Sequence, residues 1–428
     1  MTKRTGHSTR ASGQPNRSSL GSDAAAPEAF DSPLPANMLN IEAKSRSNLF
    51  PWRGQFSPQL VEALLRAYAV PGSVVLDPFM GSGTVLVEAA RLGFPVHGYE
   101  VNPAAFLLGR VYEFCNLAAA ERCALLDEAE AILTRARPAA FELPLFRSDA
   151  AGVSLPANSS DWVRASSNAG VRILLEALVV LLDGHGAGDS EFATTWSTIR
   201  DIVVRLPFTK TPVRALLGDA RSLSLPEGAI DFVLSSPPYI NVFNYHHNSR
   251  AGIESLGWRP LVVARSEIGS NRKFRQNRFL TVVQYCIDMG LALAELRRVC
   301  SDSTRVILIL GRESNVHKTA FYNGQILETL ATEVVGLRIH LKQERVFVNR
   351  FGQDIYEDIL HLSSPPYDYR PTGAIVECAR SVGRDVLAEA AERTPSDRRG
   401  YLQDAIGRAA QVDASPILEP DEVIGDVL

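Results

Sequence analysis

The chain has 428 residues, 46% apolar and 21% charged, with a formal net charge of -4. No apolar run approaches the roughly 18 residues of a membrane helix, and the amino terminus MTKRTGHSTRASGQPNRSS lacks the apolar core of a secretory signal, so neither a membrane span nor export is expected. Cys115, Cys123, Cys286, Cys300 and Cys378 show no metal-ligand spacing and read as reduced, so no metal is expected, while the mild acidity leaves a nucleic-acid partner open because a local basic face suffices to bind phosphates.

Residues 1–40 are rich in Ser, Gly, Pro and Asn and are expected to be disordered. In NLFPWRGQFSPQLVEALLRAY, Ser57 is placed to cap a helix whose first residue is Pro58, with Leu60, Val61, Leu64, Leu65 and Tyr68 as its apolar stripe. PGSVVLDPF then reads as a turn and a buried strand, TVLVEAARLG as a helix stopped by Gly93, and FPVHGYEVNP as a second strand. Strand, glycine-containing loop, helix and strand in this order point to an α/β sheet. Residues 111–212 interrupt the rhythm as a mainly helical insertion, with helices expected near 117–136, 168–183 and 191–204, and with a lid or substrate-contacting role open to it. Alternation resumes at VRALLGDA and LPEGAIDFVLSS. A periodic helix is expected over 280–299, a strand buried on both faces in TRVILILG, a helix over 321–333, and an antiparallel pair near 335–348 and 355–362. The segment from 371 to 428 is expected to be a helical tail that frays in DASPILEPDEVIGDVL.

Two stretches carry chemistry. DPFMGSGT, Asp77 to Thr84, lies where a strand gives way to a helix; Gly81 and Gly83 let the backbone approach a ligand, and the helix start offers free amides. The loop lacks the Gly-Lys pair of a phosphate-binding P-loop. Glu100 ends the next strand, where a carboxylate can accept both hydroxyls of a ribose, or can cap the helix that follows Pro103. SSPPY occurs twice, at Ser235 to Tyr239 and at Ser363 to Tyr367. The second copy follows the last strand with no glycine loop paired to it, and its prolines read as a strand terminator.

DPFMGSGT followed by GDARSLSLPEGAIDFVLSSPPY, with PWRGQFSPQLVEALL before it, resembles the amino-group DNA methyltransferases that use S-adenosylmethionine. The likeness covers Leu49 to Asn102 and Arg214 to Tyr245. It implies a Rossmann-like methyltransferase fold: a mostly parallel seven-stranded sheet with an antiparallel terminal strand and a helical insertion. Its parts would be a cofactor-binding region at 41–110, the insertion at 111–212, and a catalytic region at 213–370 carrying a basic loop at 259–279. By the same resemblance Asp77, Phe79, Gly81, Gly83 and Thr84 would surround the methionine portion of the cofactor, with Phe56 and Ser57 completing that end, Glu100 on the ribose, and Asp219 with Ala220 beside the adenine. Ser236, Pro237, Pro238 and Tyr239 would be catalytic, and in this family the Ser-Pro-Pro-Tyr form accompanies the N4 amino group of cytosine, with the N6 amino group of adenine as runner-up.

The chemistry gives the motif its reason. An exocyclic amine conjugated to a ring is a poor nucleophile; acceptors such as the Ser236 hydroxyl and the Pro237 carbonyl would hold its hydrogens and turn its lone pair toward the methyl group. Tyr239 would stack on a base extracted from the duplex. No cysteine follows a proline, so attack on a ring carbon has no candidate nucleophile. RSEIGSNRKFRQNR, Arg265 to Arg278, holds five basic residues against one acidic, and Arg272, Lys273, Arg275 and Arg278 are the candidate phosphate contacts, against the plain alternative of a solubilising loop. Asn241, Asn244, His246 and His247 are candidates for the base pocket or the groove. Double-stranded DNA is thus the expected partner, a cognate restriction endonuclease a further one, and the cytoplasm the expected location. A non-catalytic nucleic-acid binder on the same fold is the competing class.

Overall fold

A computed structural model describes residues 28–41, 45–52, 54–137, 160–183, 188–240, 249–270, 273–349, 351–366 and 370–423. Its centre is a seven-stranded sheet. The strands are β1 (Val75–Asp77), β2 (Val96–Glu100), β3 (Val213–Leu217), β4 (Ile230–Ser235), β5 (Cys300–Gly311), β8 (Arg338–Val348) and β9 (Asp354–Ser363), in the order β3-β2-β1-β4-β5-β9-β8. The first five run parallel. β9 is antiparallel to both of its neighbours, so the reversed strand lies inside the sheet, one place in from its edge. A hairpin of β6 (Glu313–Val316) and β7 (Thr319–Tyr322), which the sequence pattern does not announce, lies outside the sheet.

Alternate residues of the strands feed two hydrophobic layers. On one face Val75, Val96, Ile307, Ile309 and Ile359 meet the helices Pro58–Tyr68, Thr84–Leu92 and Pro103–Arg110. On the other, Leu76, Val306, Leu308, Leu360 and Leu362 meet the helix Leu280–Val299. The expected periodic helix over 280–299 is present as Leu280–Val299. It is buried on nearly every face, because the helix Thr372–Glu389 packs over it and closes a second helical layer.

The insertion is helical where described, with helices at Ala119–Ala136, Ser160–Arg164, Ala169–Leu182 and Asp189–Arg205. Their buried residues, among them Leu126, Leu174, Leu178, Phe192 and Trp196, belong to the same core as the sheet face they cover. The helices form a layer packed on that core.

Both ends of the described chain differ from expectation. Residues 28–40, read as part of a disordered segment, are tied down: Arg305 stacks its guanidinium between Phe30 at 4.1 Å and Tyr68 at 4.2 Å, and Gln343 Nε2 donates to the Leu34 carbonyl at 2.8 Å. The stretch expected to fray does not do so through Val423, which is fully buried; the segment 412–423 docks by buried hydrogen bonds described below. Low apolar content hid both, because these segments are held by polar side chains of the core and contribute few apolar side chains of their own.

Candidate cofactor and acceptor site

Five parallel strands end on one side of the sheet, and the strand order reverses between β1 and β4. Ligands of open α/β sheets bind at such a switch point, outside the carboxyl ends of the strands. A cleft of about 950 Å³, open solvent included, sits there, walled by Asp77 at the end of β1, Glu100 at the end of β2, Asp219 after β3 and Ser236 after β4. Phe56, Phe79, Gly81, Thr84 and Ala220 also line it.

The glycine loop is shaped by close approach. Gly81 has φ 53° and Gly83 φ 90°, the left-handed region that favours glycine. The Gly81 amide donates to Glu100 Oε2 at 2.9 Å, and a side chain at Gly83 would meet the Tyr112 ring at 2.7 Å. The segment before the first helix pins the loop from outside. Asn48 Nδ2 donates to Thr84 Oγ1 at 2.8 Å and to the Phe56 carbonyl at 2.8 Å, and Gln55 bonds the Ser82 hydroxyl.

Glu100 does not cap the following helix. Asn102 does, accepting from the amides of Ala104 at 2.9 Å and Ala105 at 3.3 Å, while Glu100 Oε1 accepts the Asn102 amide at 2.8 Å. Each Glu100 oxygen therefore uses one lone pair on the backbone and keeps another for a ligand hydroxyl. Asp77 is buried and accepts from Ser235 Oγ at 2.6 Å and from the Phe79 amide at 3.1 Å. Burial pushes both carboxyls, Asp77 and Glu100, up to about 7, against the pull of those hydrogen bonds. Glu267 is a further buried acid on the same cleft.

Asp219 is walled in by a partner that sequence reading missed. Its carboxylate holds Arg221 through Nε at 2.9 Å and Nη2 at 2.6 Å, and accepts the Leu418 amide at 3.1 Å. Arg221, fully buried, also donates to Asp288 at 2.9 Å and to the carbonyls of Ser415 at 2.8 Å and Pro416 at 2.7 Å. Asp288 in turn accepts the Ser415 amide at 2.8 Å and its hydroxyl. The carboxyl-terminal segment thus braces Asp219, a residue of the cleft wall, from behind. Arg221 stands two positions after Asp219, but its other partners lie too far along the chain to be paired by pattern.

The first SSPPY sits on the cleft. Ser236 Oγ lies 3.2 Å from the Tyr239 hydroxyl, and the Pro238 carbonyl accepts Tyr285 Oη at 3.1 Å. Among the described residues no hydrogen bond engages the Pro237 carbonyl. The Tyr239 ring packs on Gly311, where an added side chain would meet it at 3.1 Å, and the Tyr239 carbonyl packs on Gly269, where one would meet it at 2.4 Å. Burial raises the Tyr239 phenol to about 12, so it stays protonated.

Two sequence-derived residues, Ser57 and Lys273, fall elsewhere. Ser57 stands at the cap position of the helix from Pro58, but its hydroxyl makes no cap bond; it lines a neighbouring cavity, separated from the cleft by Gln55 and Phe56. Lys273 is not on a phosphate-facing surface: it is turned inward onto Ser415, and burial lowers its ammonium to about 8. Arg278 is half-buried and Arg275 exposed. Arg272, Asn241, Asn244, His246, His247 and Tyr367 lie outside the described residues. The segment from Arg265 also contributes Ser266, Glu267 and Ile268 to the cleft, a role its charge pattern concealed.

Residues 23–108, which include the glycine loop and Glu100, match the model of the DNA methylase family. The cofactor is S-adenosylmethionine. Its sulfonium and ammonium suit a cleft lined by Asp77, Glu100 and Glu267 beside the Arg221-paired Asp219, and its ribose suits Glu100. The chain is also similar to the type II methyltransferase M.MjaII of Methanocaldococcus jannaschii, 40% identical over 63 residues, covering 15% of this chain and 12% of that protein. It is similar to a tRNA (guanine(6)-N2)-methyltransferase of Thermus thermophilus, 62% identical over 39 residues, 9% of this chain and 12% of that protein. The chain thus spans 12% of the length of either relative. Among solved structures, a SAM-dependent methyltransferase from Methanosarcina mazei covers 71% of this chain and 97% of its own, with 12% identity and a TM-score of 0.34. The rRNA methyltransferase aviRa from Streptomyces viridochromogenes covers 83% and 99%, with 11% identity and a TM-score of 0.30. Among the described residues no helix is long and apolar enough to cross a membrane.

Proposed function

We propose that the protein is a DNA methyltransferase that moves the methyl group of S-adenosylmethionine to the exocyclic N4 amino group of cytosine. The observation that carries this reading is the position of Ser236 to Tyr239: the motif leaves β4 at the edge of the cofactor cleft, with Ser236 and Pro238 lining it. The cofactor supplies an activated methyl group. The residues of the chain then have three tasks. Glu100 accepts the ribose hydroxyls, and Asp77 and Glu267 meet the cationic end. The Pro237 carbonyl and the Ser236 hydroxyl accept the hydrogens of the incoming amine, so that its lone pair points along the line of transfer. Tyr239, neutral and hydrogen-bonded to Ser236, orients that hydroxyl and offers a ring face to the base. A bound cofactor would give its methyl group to the amine held by these residues, leaving as the neutral thioether, and the amine would release one proton to solvent.

Adenine N6 is the second reading, supported by the same cleft, since both amines need the same acceptors. Transfer of labelled methyl from S-adenosylmethionine to unmethylated genomic DNA and to total RNA, followed by nucleoside mass spectrometry, tests the proposal. N4-methylcytosine is the expected product. N6-methyladenine would correct the base, a methylated amine in RNA alone would correct the polymer, and no transfer to either would favour a non-catalytic binder.

A further inference from the structure

Apolar exposure is concentrated at one point of the molecule. Phe351 and Val348 are the two most exposed large apolar residues among the described ones, at 72% and 65%, and both stand at the tip of the β8–β9 hairpin. The turn that presents them is fixed. Asn349 Oδ1 accepts the amides of Phe351 at 2.8 Å and Gln353 at 3.1 Å, the Asn349 amide donates to the Gln353 carbonyl at 2.9 Å, and Gly352 takes φ 77°. Arg312 braces the stem: it pairs with Glu344 of β8 and with Asp358 of β9, and stacks over Tyr356 at 4.9 Å.

The hairpin rises beside the acceptor motif. The Tyr239 ring packs on Gly311, at the end of β5; Gly311 pairs with Glu357, and Glu357 with Arg345. Val348 is three residues further along β8, in the direction in which β5 runs toward the cleft, so the tip stands roughly 10 Å beyond Gly311 at about 3.3 Å per residue. β8 is two places from β5 in the sheet, which sets the tip roughly 10 Å to one side of Gly311. A duplex that delivers a base to Ser236–Tyr239 approaches the same end of the sheet, alongside this tip.

The exposed area decides between occupants. Two side chains offer at most a few hundred Å², against roughly 800 Å² per partner in a stable protein interface, which is too little for a second copy. A ring and a branched aliphatic side chain on a rigid turn suit a base stack, because apolar wedges separate base steps and an aromatic face stacks on any base. We propose that the tip is a wedge for duplex DNA: Phe351 and Val348 enter the stack beside the target pair and occupy the space that the extruded base vacates. The inference rests on the function proposed above.

Phe351→Ala and the double variant Val348→Ala, Phe351→Ala test this at sites whose exposure keeps the fold out of the comparison. We expect kcat/KM for methyl transfer to native unmethylated genomic DNA to fall about 10- to 100-fold relative to the same DNA heat-denatured, because unstacked bases need no wedge. The calorimetric Kd for S-adenosylmethionine should stay within about twofold. In Phe351→Trp the added indole should lose emission on duplex DNA, beyond any change shown by the four tryptophans of the parent protein. A native-to-denatured ratio within about threefold of the parent's would overturn the wedge. Where denatured DNA is no substrate of the parent protein, an indole that keeps its emission on the duplex would overturn it. A parent dimer that Phe351→Ala splits in sedimentation would give the tip to a second copy instead. Absence of methylated amino product in DNA from the parent protein overturns the underlying reading, and this inference with it; product in DNA with an unchanged ratio overturns the wedge alone.

Discussion

The two copies of SSPPY occupy opposite ends of one sheet. The first follows β4, which runs toward the cleft, and its residues wall the cofactor pocket. The second follows β9, which runs the other way. Ser363 pairs with Arg305, in the first half of β5, and the chain then moves further from the cleft: Ser364 donates its amide to the Thr304 carbonyl, and the Pro366 carbonyl accepts from Arg297. Identical residues therefore line the cleft in one case and meet a structural arginine in the other. Strand direction, which five residues cannot encode, decides the outcome.

The arginines at the two ends repeat the contrast. Arg221 at the cleft end sits in a buried ionic network, whereas Arg305 at the other end is clasped by two aromatic rings. Breaking the network should give the largest effect: Arg221→Met leaves Asp219 and Asp288 buried without their partner and should cost about 3–5 kcal/mol in urea unfolding. Next, Ser236→Ala should lower the methyl-transfer rate about 100-fold, while Ser364→Ala, its counterpart in the second copy, should leave single-turnover rates unchanged. Glu100→Ala should weaken cofactor binding by roughly 10- to 100-fold in calorimetry, since it removes charge-assisted bonds to the ribose.

The pH dependence sharpens the comparison at the cleft end. Asp77 and Glu100 hold protons up to about 7, well above their ordinary range, because they are buried. A cationic ligand favours their ionised forms, so cofactor affinity should rise as pH rises through about 7 and level off above it, with proton release visible as a buffer-dependent binding enthalpy. The ligand-free fold has the opposite slope. It binds more protons than the unfolded chain between the ordinary carboxylate range and pH 7, so its stability should fall over that interval. The smallest effect belongs to the far end: Arg305→Met should cost about 1–2 kcal/mol in the same unfolding experiment and leave transfer untouched.

Local pattern made the sheet and its helices legible. The run from Val75 through Glu100 carries its own turn glycines, apolar periods and terminal acid, and each strand there ends at a residue that lines the cleft. Partners distant in sequence were illegible. Arg221 binds residues near 288 and 415, and Arg345 meets Glu357 only because β8 and β9 share a register. Charge counting misled at Lys273, whose ammonium turns inward to this network. The polar amino-terminal and carboxyl-terminal segments looked like tails because their few apolar residues underestimate what backbone hydrogen bonds to a buried arginine can hold.

The docking of Ser415 to Leu418 also sets a timetable. Asp219 and Arg221 leave the ribosome roughly two hundred residues before the segment that accepts their remaining hydrogen bonds. At about 5–20 residues per second that interval lasts on the order of 10–40 s. Throughout it the sheet can assemble, but Asp219 on the cleft wall lacks its brace and a buried cation lacks its carbonyls. A nascent chain paused in that window would carry the whole glycine loop and the whole SSPPY motif, yet hold no finished seat for the cofactor.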